Sequence, residues 1–396
     1  MFVVRRAKVD DAGTMLKLAR MVHFINLPPD SDIINRKIVQ SRSSFMRVAK
    51  GEPLPEPVRS LAGGAAGKSA GGGLDEALAE TNVFMFVLED TESRGVLGTS
   101  QVIARMGGPG RPNWSFKLHK QHFFSDDIHA GTTHVTATLY GDESGPSEIG
   151  GLILQPSYRG HKQKLGRFLS LIRFHFMALH RELFADEVLA EMMAPISNEG
   201  ENLLWNALGR RFIPLSYSEA DRHCQISRDF IANLLPREPI YLTLLPPAAR
   251  DVVGKVGAET VPARRMLEKL GFEYRDFVDP FDGGPHLHAK TDSIQTVQAT
   301  HRGELGPTIA RSKCDTRGIV SFMDTDGDFR AVDEQFAVDA EGVVSLPKDV
   351  MTALVAEPGA SVGYTVLSKP DRSSADTKRE PAKKKSRTRN ARKAAR

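Results

Sequence analysis

Cysteine is scarce. The 396 residues hold two, Cys224 and Cys314, too far apart in sequence to offer a metal spacing or a disulfide framework, which favours a reducing compartment. Long apolar runs are missing too: no stretch of about 18 apolar residues is available to span a bilayer. The opening MFVVRRAKVDDAG lacks an apolar core of signal-peptide length. These absences point to the cytoplasm and away from a membrane partner. Strong overall charge is lacking as well, but the formal +4 conceals a division. Ser368 to Arg396 hold twelve Lys and Arg against three acids, so this tail carries +9 and the remaining chain is mildly acidic at −5. With almost nothing apolar to offset its ordering entropy, the tail reads as disordered, either simply solvated or in weak contact with nucleic acid.

What is present is organised around Glu148 to His180. The apolar run Ile149 to Leu154 is too short for a helix and ends at Pro156, so it reads as a buried strand. A glycine-punctuated basic loop follows, with Arg159, Gly160, Lys162, Lys164, Gly166 and Arg167. Leu165, Phe168, Leu169, Ile172, Phe176 and Leu179 then recur at helical spacing. A strand, a basic glycine loop and a helix start form a place where free N–H groups and the helix dipole receive a phosphate.

Around this element the chain alternates helices and strands. The short apolar run Phe2 to Val4 reads as an edge strand that leads through Asp10-Asp11 into a first helix, and Asp30-Ser31-Asp32 caps a second. Residues 51 to 76 are Pro-rich and then Gly/Ala-rich, the composition of a flexible loop. Val83 to Leu88 and Val96 to Ile103 read as a hairpin, residues 107 to 131 as an irregular aromatic stretch, and Val135 to Tyr140 as a strand. After the central helix come a strand at Glu187 to Met193 and a helix at Asn198 to Arg211 ending LGRRF. The later VPARRMLEKLGF repeats that helix, LG and aromatic pattern, weak evidence of a duplication. Ile319 to Leu367 alternates short strands with turns.

These pieces carry a resemblance. The strand, basic loop and helix resemble the acyl-coenzyme A core of the GCN5-related N-acetyltransferase superfamily. More specifically, SEIGGLIL at Ser147, VLAEM at Val188, LGRRF with YSEAD from Leu208, DVVGKV at Asp251 and PARRMLEKLGFEYRDFVDPFDGGP at Pro262 resemble the arginine N-succinyltransferase family. The resemblance spans roughly residues 1 to 367 apart from 48 to 80. Two departures stand out: MVHFINLPP at Met21 keeps only Leu27-Pro28 of the family's glycine-rich segment, and the coenzyme loop is about two residues longer and more basic. The implied fold is α/β, with mixed sheets of GCN5-related type. The expected partition is an acyltransferase-like half over 1–195, a second packed half over 196–297, a small β-rich appendage over 298–367 and the tail over 368–396.

The resemblance implies transfer of a succinyl group from succinyl-CoA to the α-amine of L-arginine, without a metal, in a homo- or hetero-oligomer. Another amine such as ornithine, or a noncatalytic protein with a nucleic-acid-binding tail, are the alternatives. The reaction must juxtapose thioester and amine, remove a proton from an ammonium and steady an oxyanion. The splayed end of the strand Ile149 to Leu154 would present a backbone N–H to the thioester. Glu148 is the candidate base, against an exposed turn carboxylate. A tyrosine often protonates the leaving thiolate in this superfamily, but Trp205 and Leu267 stand near the corresponding positions, so the thiolate leaves unassisted. A guanidinium needs carboxylates, and Glu191 and Asp282 are the candidates. His286 and His288 read as a surface strand rather than metal ligands, DTDGD at Asp324 as a hairpin turn, and Cys224 as structural.

Overall fold

The computed structural model describes residues 1–21, 27–55, 82–197, 200–224 and 228–368. The loop expected up to residue 76 falls outside the described residues from residue 56 on, and the basic tail does so from residue 369 on.

The amino-terminal strand β1 (Phe2–Arg6) is followed by α1 (Ala12–Arg20) and α2 (Ser31–Ala49). Asp30 caps α2 by accepting from the backbone N–H of Asp32 and Ile33, as the Asp-Ser-Asp pattern predicts. Then come β2 (Val83–Asp90) and β3 (Val96–Ile103), the expected hairpin, and β4 (Asn113–Ser125) with β5 (Ala130–Asp142). The central element is β6 (Ser147–Leu154) and α3 (Leu165–Leu179), followed by β7 (Glu187–Glu191). Short helices lead through α4 (Tyr217–Cys224) and the two-residue β8 (Ile240–Tyr241) to α5 (Val261–Lys269), β9 (Glu273–Val278) and β10 (Pro285–Lys290). The carboxy-terminal segment contributes β11 (Thr300–Leu305), β12 (Thr316–Met323), β13 (Phe329–Val338), β14 (Val343–Ser345), α6 (Lys348–Leu354) and β15 (Ser361–Ser368).

The mixed α/β class holds, and among the described residues these strands form one sheet in the order β12-β15-β11-β14-β13-β1-β2-β3-β6-β7-β10-β9-β4-β5-β8. The two expected halves therefore share a single sheet: β7 is hydrogen-bonded to β10, and β4 and β5 lie between β9 and β8. The β-rich segment is more than an appendage. Its strands β12 and β13 also pair with each other, closing a five-stranded ring that joins the main sheet where Val4 of β1 meets Ala331 of β13.

Helix α3 covers one face of the sheet. Its Phe168, Ile172, Phe174 and Phe176 pack with Phe84, Phe86, Ile149 and Ala190 in the main core. The opposite face carries Met15 and Leu18 of α1 and Ile34 and Ile38 of α2 against Val83, Met85, Val87, Ile103 and Ile153. The inserted hairpin and helices form a third core around Trp205 and Phe281, whose rings stack 5.1 Å apart.

Residues 107 to 131 correct the expectation of irregular structure. β4 pairs with β5 through thirteen consecutive positions, from Asn113↔Asp142 to Ser125↔Ala130. The alternation was masked because Asn113 and Ser115, on the polar side of the strand, are buried, while the far end of the arm exposes Phe123 and Phe124. The duplication also fails on its first copy. The LGRRF segment is a π-helical turn, Trp205–Gly209, running into Arg210–Phe212, and Tyr217–Cys224 that follows is a helix rather than a strand.

Candidate active site

The strands β6 and β7 run parallel but pair only at Ser147↔Val188 and Glu148↔Leu189, after which they diverge. A β-bulge against β3 bends β6 at this point: the register shifts between Thr99 and Gln101, and Gly151 takes φ +57°, which favours glycine. The divergence opens a cleft of about 1160 Å³ between β6, α3, the extension of β7 and the start of α5. Its walls include Ile149 to Leu154 on one side and Ala190 to Ser197 on the other.

All six residues of the expected phosphate loop, Arg159, Gly160, Lys162, Lys164, Gly166 and Arg167, line this cleft. Gly160 (φ +74°) and Lys164 (φ +52°) turn the chain, and Lys164 caps α3 in a left-handed conformation, so the first turn of the helix directs its N–H groups at the cleft mouth. The loop is held from below by Phe2, whose ring lies 5.3 Å from that of His161 and 6.4 Å from that of Tyr158. Arg159 is less available than its neighbours, because its Nη1 reaches Glu259 on the opposite lip at 3.2 Å.

On the face opposite α3, the root of the splay holds a buried cluster of charge. Glu148 is 1% exposed, so the alternative of an exposed turn carboxylate is excluded. It stands near Lys37 of α2, whose ammonium burial pulls down to about 8 against the opposing fields of Glu148 and Asp221. Glu191 ends β7 on the same face. Its Oε1 accepts from Asn113 Nδ2 at 3.1 Å and lies 4.0 Å from Arg228 Nη1, while Arg228 also donates to Asn113 Oδ1 at 2.6 Å. Burial pushes the Glu191 carboxyl up, yet Arg228, His286 and the Asn113 bond together hold it below the usual range.

Asp282 is fully buried, but its oxygens serve the backbone: Oδ2 accepts from Ala194 N–H at 2.9 Å and Oδ1 from Gly284 N–H at 2.6 Å. It clamps the FDGGP turn against the extension of β7, where a Cβ on Gly284 would sit 1.9 Å from the Met192 carbonyl oxygen. The carboxylate brought to Glu191 is instead Asp279, whose oxygen lies with one of Glu191 and a ring nitrogen of His286 in a group spanning at most 4.8 Å. His286 corrects the surface-strand expectation: it is 2% exposed, paired with Glu191 across β7 and β10, and held neutral down to about pH 4, chiefly by burial.

Reading the sequence missed Lys37, Asn113, Asp221, Arg228 and Asp279, and placed His286 on a surface strand. Asp279 and Asp221 carried a usable signal, Asp279 lying three residues before Asp282 in the FVDPFDGGP segment and Asp221 closing YSEAD. Asp221, in the YSEAD segment, is raised to about 7, first by burial, and its Oδ1 is buried without a hydrogen-bond partner. Burial likewise pushes the Cys224 thiol up, out of reach of thiolate chemistry and in keeping with a structural role.

A splayed parallel strand pair, a bulge at the splay and a basic loop opening a helix beneath it are the parts of an acyl-coenzyme A fold, and comparison with known proteins agrees. Residues 69–296 match the family model AstA, arginine N-succinyltransferase beta subunit. The chain belongs to this family. It is 37% identical over 223 residues to proteins named arginine N-succinyltransferase from Escherichia coli, in strains O1:K1 / APEC and K12 / DH10B alike, covering 56% of this chain and 64% of theirs. The match thus spans a little under two thirds of those relatives. A solved structure, arginine/ornithine succinyltransferase subunit AI from Pseudomonas aeruginosa, superposes with a TM-score of 0.74 at 27% identity, over 93% of this chain and 99% of that one. Among the described residues no helix is long and apolar enough to cross a membrane.

Proposed function

We propose that the chain moves a succinyl group from succinyl-CoA to the α-amine of L-arginine. The observation that carries this reading is a basic loop at the mouth of the cleft and a buried cluster of charge that meets the cleft at Glu191. The outer end is a basic loop suited to phosphates, and the inner end borders a buried cluster in which Glu148, Glu191, Asp221, Asp279 and Asp282 outnumber Lys37 and Arg228. A buried excess of acidic groups calls for a cation, and a guanidinium between Glu191 and Asp279 supplies one. Lys37 and Arg228 suit the carboxylate of an amino acid.

The coenzyme ester supplies an activated carbonyl; the protein's part is to hold and deprotonate. Lys162, Lys164 and the amides at Leu165 and Gly166 receive the pyrophosphate, and Gly151 at the bulge frees backbone N–H for the thioester oxygen. An ammonium proton passes to a carboxylate of the cluster, the freed amine nitrogen forms a bond to the acyl carbon, and the carbon–sulfur bond breaks as the departing thiolate takes up the second proton shed by that nitrogen and leaves as the coenzyme A thiol. Glu148 at the root of the splay is first in line. Asp221, near neutrality, is the second. No covalent enzyme intermediate is involved.

Thiol release from succinyl-CoA, with arginine and ornithine compared by kcat/KM, tests the reading, and the absence of release with either amine would sink it. Glu148→Gln and Asp221→Asn, followed across pH, assign the base. We further propose a cytoplasmic location and association with copies of this or related chains, which sedimentation tests. Contact between the basic tail and nucleic acid is tested by DNA retention across a salt series before and after truncation at Ser368.

A further inference from the structure

Gly166, Ser170 and Arg173 of α3 line the cleft on the side away from the acidic cluster. Arg173 is 2% exposed, and the bonds of its guanidinium stay within its own helix: Nε donates to the Ser170 carbonyl at 3.0 Å and Nη2 to Ser170 Oγ at 2.6 Å. Among the described residues it forms no ion pair. The contrast with the other buried arginines is direct. Arg5 is bound by Asp11 at 2.8 Å and by Glu89 at 2.5 Å, and Arg6 is bound by Asp328. Burial alone acts on Arg173, lowering it to about 9 with no acid to oppose the shift. A guanidinium kept in an apolar interior without a counter-charge is costly to the fold, so the charge is to be expected from what enters the cleft.

The position narrows the choice of anion. Arg173 lies eight residues beyond the start of α3, about 12 Å along the helix axis from the amides that face the phosphates. The cleft wall on the α3 face of the sheet, where Arg173 lies, includes Ile149, Ala190, Met266 and Leu267, all apolar. The amino-acid cluster is on the other face. We propose that Arg173 receives the terminal carboxylate of the acyl group carried on the coenzyme, and so selects dicarboxylic acyl donors over neutral ones. This rests on the proposed acyl transfer but assigns the donor's far end to a residue of its own.

The test uses the full chain with Arg173→Met and Arg173→Lys, comparing succinyl-CoA with butyryl-CoA, a donor of equal length ending in a methyl group. For Arg173→Met, kcat/KM with succinyl-CoA is expected to fall about a hundredfold while that with butyryl-CoA stays level or rises. Arg173→Lys should recover part of the loss, and calorimetric affinity for free coenzyme A should not move. Removal of an unpaired buried charge should leave the melting temperature of Arg173→Met equal or higher. If this variant does not fold, Arg173→Lys and the wild-type donor preference carry the test. An equal loss with both donors, a comparable loss of coenzyme A affinity, or no change with succinyl-CoA would each overturn the assignment. Should the wild type transfer no acyl group, the proposed function fails separately. A tighter binding of succinyl-CoA than of butyryl-CoA, abolished in Arg173→Met, would still uphold the carboxylate site, and no preference would refute it.

Discussion

The two ends of the cleft handle charge in opposite ways. At the mouth, Lys162, Lys164 and Arg159 sit on an exposed loop, where water and salt screen them and the pair Arg159–Glu259 contributes little. At the root, Lys37, Glu191 and Asp279 are withdrawn from water with Arg228 half-buried beside them, and their protonation departs from ordinary values. Charges at the mouth can be changed without disturbing the fold and should act on affinity. Charges at the root hold one another in place, so that stability and chemistry respond together.

The largest effect is expected at the root. Glu191→Ala takes the carboxylate from beside half-buried Arg228 and the acceptor from Asn113, which should cost about 1–3 kcal/mol in denaturant unfolding. It should also lower kcat/KM for the amine by at least about a hundredfold. A loss of activity at unchanged stability would show that the root is less tightly coupled than drawn.

Next comes the pH dependence. Burial first, then His180 and Arg302, lowers His175 to about 3, and the neutral ring bridges Thr365 Oγ1 at 2.6 Å and Ser321 Oγ at 2.7 Å. Because the folded value is depressed below 6.5, its contribution is complete above pH 6.5. It is lost as pH falls toward 3, at about 1.4 kcal/mol per pH unit. Asp221 has the opposite sign. Its folded value is raised to about 7, so its contribution is complete below pH 4 and lost as pH rises to 7. Melting curves across pH should therefore show a shallower acid loss for His175→Gln, and greater stability than wild type at pH 7.5 for Asp221→Asn.

A smaller effect belongs to the mouth. Lys162→Glu with Lys164→Glu should raise the coenzyme A dissociation constant about tenfold or more at fixed salt, leave the amine KM level and leave the melting temperature unchanged. Tight binding by the double variant would mean that the loop is an ordinary surface turn. Smallest of all, Arg159→Ala should change stability by less than about 0.5 kcal/mol, since it removes an ion pair exposed on both sides.

The order of the mouth was legible in the sequence, and of the root Glu148 and Glu191 were singled out but not their partners, for a physical reason. The basic loop is local: strand, glycines, lysines and helix start follow one another within Ile149 to Leu179, so their order fixes their geometry. The root is assembled from α2, β4, β6, β7, α4 and β10, and nothing local marks Lys37 or Asn113 as facing Glu148 or Glu191. Asp282 misled because DGG signals both a ligand site and a tight turn, and here its two oxygens answer to backbone N–H groups. The single sheet was hidden similarly, since β10 reaches β7 only after the inserted helices between them.

The closed ring of β11 to β15 has a consequence for how the chain is made. β1 lies between β2 and β13, and Arg6 of that first strand pairs with Asp328, 322 residues further along. During synthesis the outer edge of β1, with Phe2, Val3 and Val4, therefore waits for almost the whole chain before its partner exists. An unpaired apolar edge is a template for the wrong strand. The ring thus acts as a terminal lock on the sheet, and a nascent chain stopped before Phe329 would hold the cleft's residues yet present an open edge to every neighbour emerging beside it.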